Sequence, residues 1–159
     1  MQTRTDIDIP EQLIAGHPFF NGLAPSFVHM LKDTAMFNRY DTKEAIINEG
    51  AVADHFYLIH TGTVSLEAYV PGRGSVVVQI LGAGEALGCS WLYPPHRWHF
   101  SALPLEPAEI TTFDARVLRK LASENPDIGY ELAYRTGEVA WQRLQATRAL
   151  LVDFYGKTE

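Results

Sequence analysis

Gly50-Ala51-Val52-Ala53-Asp54-His55-Phe56-Tyr57-Leu58-Ile59, followed after two residues by Gly62-Thr63-Val64, is the stretch that decides the fold. Phe56-Tyr57-Leu58-Ile59 is a short apolar run held between glycines, and it reads as a strand ending in a tight turn. Beyond it the sequence has a period of two. Val64, Leu66, Ala68 and Val70 alternate with Thr63, Ser65, Glu67 and Tyr69, and Val76, Val78 and Ile80 alternate with Val77 and Gln79. Pro71-Gly72-Arg73-Gly74 between those runs predicts a hairpin turn. Ala45-Ile46-Ile47 and Glu109-Ile110-Thr111-Thr112-Phe113 supply further strands, and glycines at 50, 62, 72, 74, 82, 84 and 88 keep every piece short. Many short strands joined by glycine turns predict an antiparallel β-roll or jelly roll of about eight strands, covering roughly residues 43–113.

Working outward, both flanks are helical, which makes the fold class α+β. Residues 1–16 read as a lead-in to a single domain at 17–159, with His17-Pro18-Phe19-Phe20 packing at its start. Pro25-Ser26-Phe27 opens a helix over about 25–36, with Phe27, Met30, Leu31 and Phe37 at helical spacings. Asp114 caps a helix over about 114–122. Asn125-Pro126 starts a long one over about 126–154, in which only Gly129 and Gly137 could weaken the pattern. Ala133, Gly137, Ala140, Leu144, Thr147, Leu151 and Phe154 recur in steps of four and three, the pattern of a coiled-coil seam. Leu132, Val139, Ala146 and Leu150 form a second stripe that would face the roll. A helix with two apolar stripes has two neighbours: its own domain, and a second copy or another protein.

Composition narrows the function. Of 159 residues, 47% are hydrophobic and 20% charged, so the chain can bury one core and is not disordered. A net charge of −6 argues against a sequence-independent grip on nucleic acid, which comes mostly from Lys and Arg. No apolar run reaches the roughly 20 residues needed to cross a bilayer. Met1–Pro10 has no targeting pattern, so the expectation is a cytoplasmic protein with no membrane partner. The single cysteine, Cys89, cannot build an internal disulfide or a Cys-rich zinc site. With His96 and His99 it forms the only candidate metal cluster, at a spacing zinc does not use, and no metal is expected. No nucleophile–base order, carboxylate pair or phosphate loop marks an enzyme.

The opening stretch closely resembles the G-x-x-A-D-x-F-Y-L-I-x-x-G-x-V signature of the Crp/Fnr-type cyclic-nucleotide-binding domain family. Leu81-Gly82-Ala83-Gly84-Glu85-Ala86-Leu87-Gly88 is similar to the approach to that family's phosphate-binding cassette. Glu138 to Tyr155 is similar to its central helix, including Arg143-Leu144-Gln145-Ala146-Thr147. The resemblance spans about His17 to Gly156. It implies a helix, a roll and a long dimerising helix, with a cyclic nucleotide as the ligand to be tested.

The same resemblance marks the candidate ligand-binding residues: Gly84, Glu85, Gly88, Cys89, Ser90, Arg97, Trp98, Thr147 and Arg148. Backbone N–H groups near Gly84, Gly88 and Ser90 suit an anion, although turn glycines would read the same way. The cassette departs from the family in two places. Cys89 stands where the family has the glutamate that holds a ribose hydroxyl, and a thiol is a poor acceptor. That loss costs on the order of 1.5–3 kcal/mol, about one to two decades of affinity. The family's arginine position falls on Trp98, with Arg97 one residue early, and a one-residue slip in extended chain turns a side chain to the other face. Glu85 reads as a turn residue, and Thr147 serves the seam as readily as a ligand. Trp91 is read first as core. Trp141 and Arg148 share an outer helix face.

The reading is a non-enzymatic regulatory or sensor module with a degenerate cassette. It would act through a homodimer or a protein partner on the C-terminal helix, and not through DNA. The sequence ends at Gly156-Lys157-Thr158-Glu159 without the helix-turn-helix that transcriptional members carry. Two alternatives stand beside it. One is an accessory subunit of a redox complex, as in NAD-reducing soluble hydrogenases, with NAD(P) in the altered pocket. The other is a true cyclic AMP or cyclic GMP receptor.

Overall fold

The computed structural model describes residues 3–5 and 11–157. Two antiparallel sheets form a roll. One has four strands, in the order β1 (Thr3–Thr5), β2 (Ala35–Tyr40), β7 (Ala108–Asp114) and β3 (His55–Thr61). The other has three, in the order β5 (Gly74–Leu81), β4 (Val64–Val70) and β6 (Ser101–Pro104). The helices α1 (Glu11–Ala15), α2 (Pro25–Lys32), α3 (Ala115–Glu124) and α4 (Pro126–Gly156) complete the chain, with a 3-10 turn at Pro18–Phe20.

The unbroken apolar run in β3 is explained by burial on both faces. Tyr57 and Ile59 enter the interior of the roll with Val64, Leu66, Leu81, Ala102 and Ile110. Phe56 and Leu58 point the other way, against Phe20, Leu31, Phe113, Leu118, Ile128 and Leu132. Each fully buried side chain of this size contributes about 1.5–3 kcal/mol. Gly62 ends β3 with φ +90°, where a Cβ would stand 2.5 Å from the Pro107 carbonyl oxygen, so no other residue fits that turn.

Local signals place several elements. The Pro71–Gly74 turn closes through the Arg73 N–H on the Val70 carbonyl at 2.9 Å. The Asp114 carboxylate accepts from the N–H groups of Arg116 and Val117 and caps α3. Pro126 fills the first turn of α4, where its missing N–H is not needed. At Gly129 a Cβ would lie 2.5 Å from the Ala122 carbonyl oxygen, so glycine permits the close approach of α3 and α4.

The structure corrects the expected layout in four places. The described part of residues 1–16 is more than a lead-in: Thr3–Thr5 pairs with β2, and Ile14 of α1 is wholly buried. The second helix ends at Lys32, and Phe37 lies in β2, so the strands that follow this helix begin at Ala35 and not near residue 43. Ala45-Ile46-Ile47 forms a single bridge, from Ile47 to Ala102, and seven strands are described where about eight were expected. Finally, β5 does not alternate. It is an edge strand with a register shift opposite Leu66 and Glu67, and Val76, Val77 and Ile80 are all exposed.

Candidate functional site

The chain after β5 is sewn to β3. Gly84 N–H donates to the Ile59 carbonyl and Ile59 N–H to the Glu85 carbonyl, both at 2.9 Å, and Leu87 N–H donates to the Tyr57 carbonyl at 3.0 Å. The Glu85 carboxylate accepts from Gly82 N–H at 2.7 Å, so this side chain closes its own turn. Gly84, at φ +88°, faces Pro18 and lines a cleft of about 470 Å³ with Glu85, Tyr130, Tyr134 and Glu138. Arg135 borders the same cleft but spends its donors on the Phe19 and Asn21 carbonyls and on Glu131, clamping α4 to the N-terminal turn.

Beyond Gly88 the wall is aromatic. Gly88 has φ +75°, and a Cβ there would lie 2.9 Å from the Phe100 ring and 3.0 Å from the Trp98 ring. Trp98 is 3% exposed, with its ring 5.5 Å from Phe100 and 6.2 Å from Tyr57. Its backbone is fixed on both sides: Trp98 N–H donates to the Ala51 carbonyl at 2.9 Å, and Gly50 N–H donates to the Trp98 carbonyl at 2.8 Å. Arg97 faces away. It is exposed and donates to the Gly50 carbonyl at 3.2 Å, as alternation in extended chain requires.

The guanidinium at this wall comes from α4. Arg143 lies over the Phe100 ring, 4.7 Å from its centroid, a cation–π contact. Its Nη1 is buried and has no hydrogen-bond partner among the described residues. Burial lowers the pKa of Arg143, with the neighbouring Cys89 opposing; burial raises the Cys89 thiol, with Arg143 opposing. Cys89 is therefore a protonated, half-buried thiol beside a guanidinium whose Nη1 has no hydrogen-bond partner among the described residues.

The expected site residues thus divide. Gly88, Cys89 and Trp98 share the wall with Arg143, while Ser90 follows it, half-buried. Gly84 and Glu85 turn to the cleft beside Pro18. Arg97 points out, and Thr147 and Arg148 are exposed on α4 beyond Arg143. Trp91 is core, wholly buried and stacked on Phe56 at 4.9 Å. Arg143 stood in the quoted helix motif but was not singled out, because sequence spacing does not fix which way a helix faces the roll.

The seam residues Leu144, Thr147, Leu151 and Phe154 are exposed, as is Ala133, while Gly137 and Ala140 are half-buried. Among the described residues no group of three His, Cys, Asp or Glu could hold a metal ion, and no helix is long and apolar enough to cross a membrane.

Residues 37–125 match the cyclic nucleotide-binding domain family. No curated protein matches the chain. Among solved structures, a cyclic nucleotide-binding domain from Methylobacillus flagellatus KT superposes with a TM-score of 0.82 at 16% identity, covering 96% of this chain and 88% of its own. The catabolite activator protein of Thermus thermophilus superposes with a TM-score of 0.67 at 24% identity, covering 87% of this chain and 63% of its own. At these identities the likeness is one of fold.

Proposed function

This chain belongs to the cyclic nucleotide-binding domain family, and on that premise we propose that it is a non-enzymatic regulatory module whose cassette is shut by its own aromatic residues. The observation that carries this reading is the packing of Gly88 against Trp98 and Phe100, with Arg143 of α4 laid over Phe100. A cyclic phosphate needs open backbone N–H groups and a cation. Here the glycine faces rings, Arg97 is turned outward, and Trp98 occupies the position the family gives to arginine.

The arrangement ties the cassette to α4. Any anion that reached Arg143 would compete with the Phe100 contact, so a change at the cassette becomes a change in how the helix is held. The exposed residues Leu144, Leu151 and Phe154 give α4 a face for a second copy or another protein. The module would act through that contact and not through DNA.

The test is a calorimetric titration with cyclic AMP and cyclic GMP of the wild type and of a Cys89→Glu/Trp98→Arg variant, which puts back both family residues. The wild type should show no binding tighter than about 1 mM, and the double variant should gain at least tenfold, the scale of one charge-assisted hydrogen bond. Micromolar binding by the wild type would refute the closed cassette. Near-ultraviolet circular dichroism checks that the double variant keeps its fold, and Cys89→Glu alone supplies a milder version.

A further inference from the structure

The roll opens a second time, at a place the cassette does not reach. Between β2, β3 and the loop before Ile46 lies a cleft of about 350 Å³. That is at the small end of the range for ligand sites, roughly 300–1,000 Å³. Asn38, Tyr40, Ile46, Tyr57 and Thr112 are buried and form its floor, and Met36 and His55 form its half-buried rim.

Asn38 is the anomaly. It sits in the middle of β2, opposite Ile110, and is 1% exposed. Its side-chain amide N–H donates to the Thr112 hydroxyl at 3.1 Å, but Oδ1 has no hydrogen-bond partner among the described residues. A buried acceptor left unpaired is destabilising, and native interiors rarely keep one without a reason. The rest of that interior is filled by Tyr40, Ile46, Ile59 and Ile110. An apolar residue at position 38 would complete the same core, so the carboxamide needs another explanation.

We infer that this cleft is a binding site for a small planar heterocycle that presents an N–H donor to Asn38 Oδ1. The chemistry of the walls sets the class. Tyr40 and Tyr57 supply ring surface, and Met36 and Ile46 supply apolar contact. The Tyr57 hydroxyl stays protonated, because burial raises its pKa, with Tyr40 and Asp54 adding to the effect, and it can donate as well as accept. At the mouth, His55 Nδ1 stands 2.9 Å from the Asp54 carboxylate, which holds that rim in place. An acceptor and a hydroxyl in a cleft that Tyr40 and Tyr57 also line suit an aminoheterocycle or cyclic amide about as large as a nucleobase. Cys89 and Arg143 do not line the cleft, and Tyr57 of its floor, 6.2 Å from Trp98, is where it approaches the cassette wall.

The experiment is a ¹H–¹⁵N NMR titration of the full chain with cytosine and, separately, with 2-aminopyridine. The expected result is saturable shifts of the Asn38 side-chain amide and of the Met36, Tyr57 and Thr112 backbone amides, with a Kd of about 1 mM or below. Asn38→Leu should weaken binding about tenfold while amides far from β2 keep their positions, and Tyr57→Phe should weaken it severalfold. Absence of saturation, shifts confined to the neighbourhood of Cys89 and Arg143, or an Asn38→Leu variant that binds like the wild type would each overturn the assignment.

Discussion

The two halves of α4 have different surroundings. From Pro126 to Arg143 the helix lies on the domain, with Ile128, Leu132 and Thr136 buried and Val139 and Arg143 half-buried. From Leu144 onward only Ala146 is even half-buried, while Leu144, Leu150, Leu151, Val152, Phe154 and Tyr155 stand exposed. At 1.5 Å per residue the bare half is about 20 Å long. The same residue types thus stabilise the fold in one half and stand exposed in the other.

The largest effect should come from removing a side chain of the packed half. Leu132→Ala, at a residue 1% exposed, is expected to lower unfolding free energy by about 2–5 kcal/mol in urea denaturation. Leu151→Ala in the bare half should change it by less than about 0.5 kcal/mol at concentrations where the chain is monomeric. Equal losses at both positions would break the comparison.

A second loss belongs to the region that Arg135 clamps onto the packed half. His17 Nδ1 accepts the Phe19 N–H at 3.1 Å, so its Nε2 carries the proton donated to the Ile59 carbonyl at 2.9 Å. Burial is the main cause that lowers its pKa from 6.5 to about 4, with the Ile59 bond opposing and His60 adding to the fall. The unfolded chain takes up its proton at the higher pH. Stability is therefore full above about pH 6.5 and declines as pH falls toward 4, by about 2–3 kcal/mol for this group. Thermal melts of wild type and His17→Gln across that range should converge at the acid end.

Two glycines sharpen the contrast with smaller effects. Gly88→Ala puts a methyl into the Trp98 and Phe100 rings at φ +75° and should destabilise by about 1–3 kcal/mol. Gly137→Ala meets nothing within 4 Å on α4 and should stabilise by up to about 1 kcal/mol through helix propensity. The smallest effect on stability with the largest on assembly is expected from Leu151→Glu. Its unfolding free energy should stay near the wild-type value, while any self-association seen by sedimentation is lost.

What the sequence displayed and what it hid follow the same division. The roll, the Pro71–Gly74 turn, the Asp114 cap and the start of α4 were legible because each rests on local chemistry. Phe37 misled because it continues a helical spacing; in β2 the inward positions carry Met36, Asn38 and Tyr40, and one polar residue among them masks the alternation. Val76, Val78 and Ile80 read as one face of an alternating strand, but β5 is an edge strand with a register shift, and Val76, Val77 and Ile80 are all exposed. At the site, the displaced Arg97 and the altered Cys89 could be read by position. Arg143 could not, because its role depends on the rotation of α4 against the roll. The unpaired Asn38 Oδ1 was equally invisible, since nothing local marks a polar residue in a strand as inward-facing.

The most direct test of the closed cassette is the calorimetric titration of the wild-type chain with cyclic AMP. Heat no greater than dilution at tens of micromolar ligand, with binding appearing in the Cys89→Glu/Trp98→Arg variant, is the predicted result. Micromolar binding by the unaltered chain, abolished by Arg97→Ala, would contradict it and return the phosphate contact to Arg97.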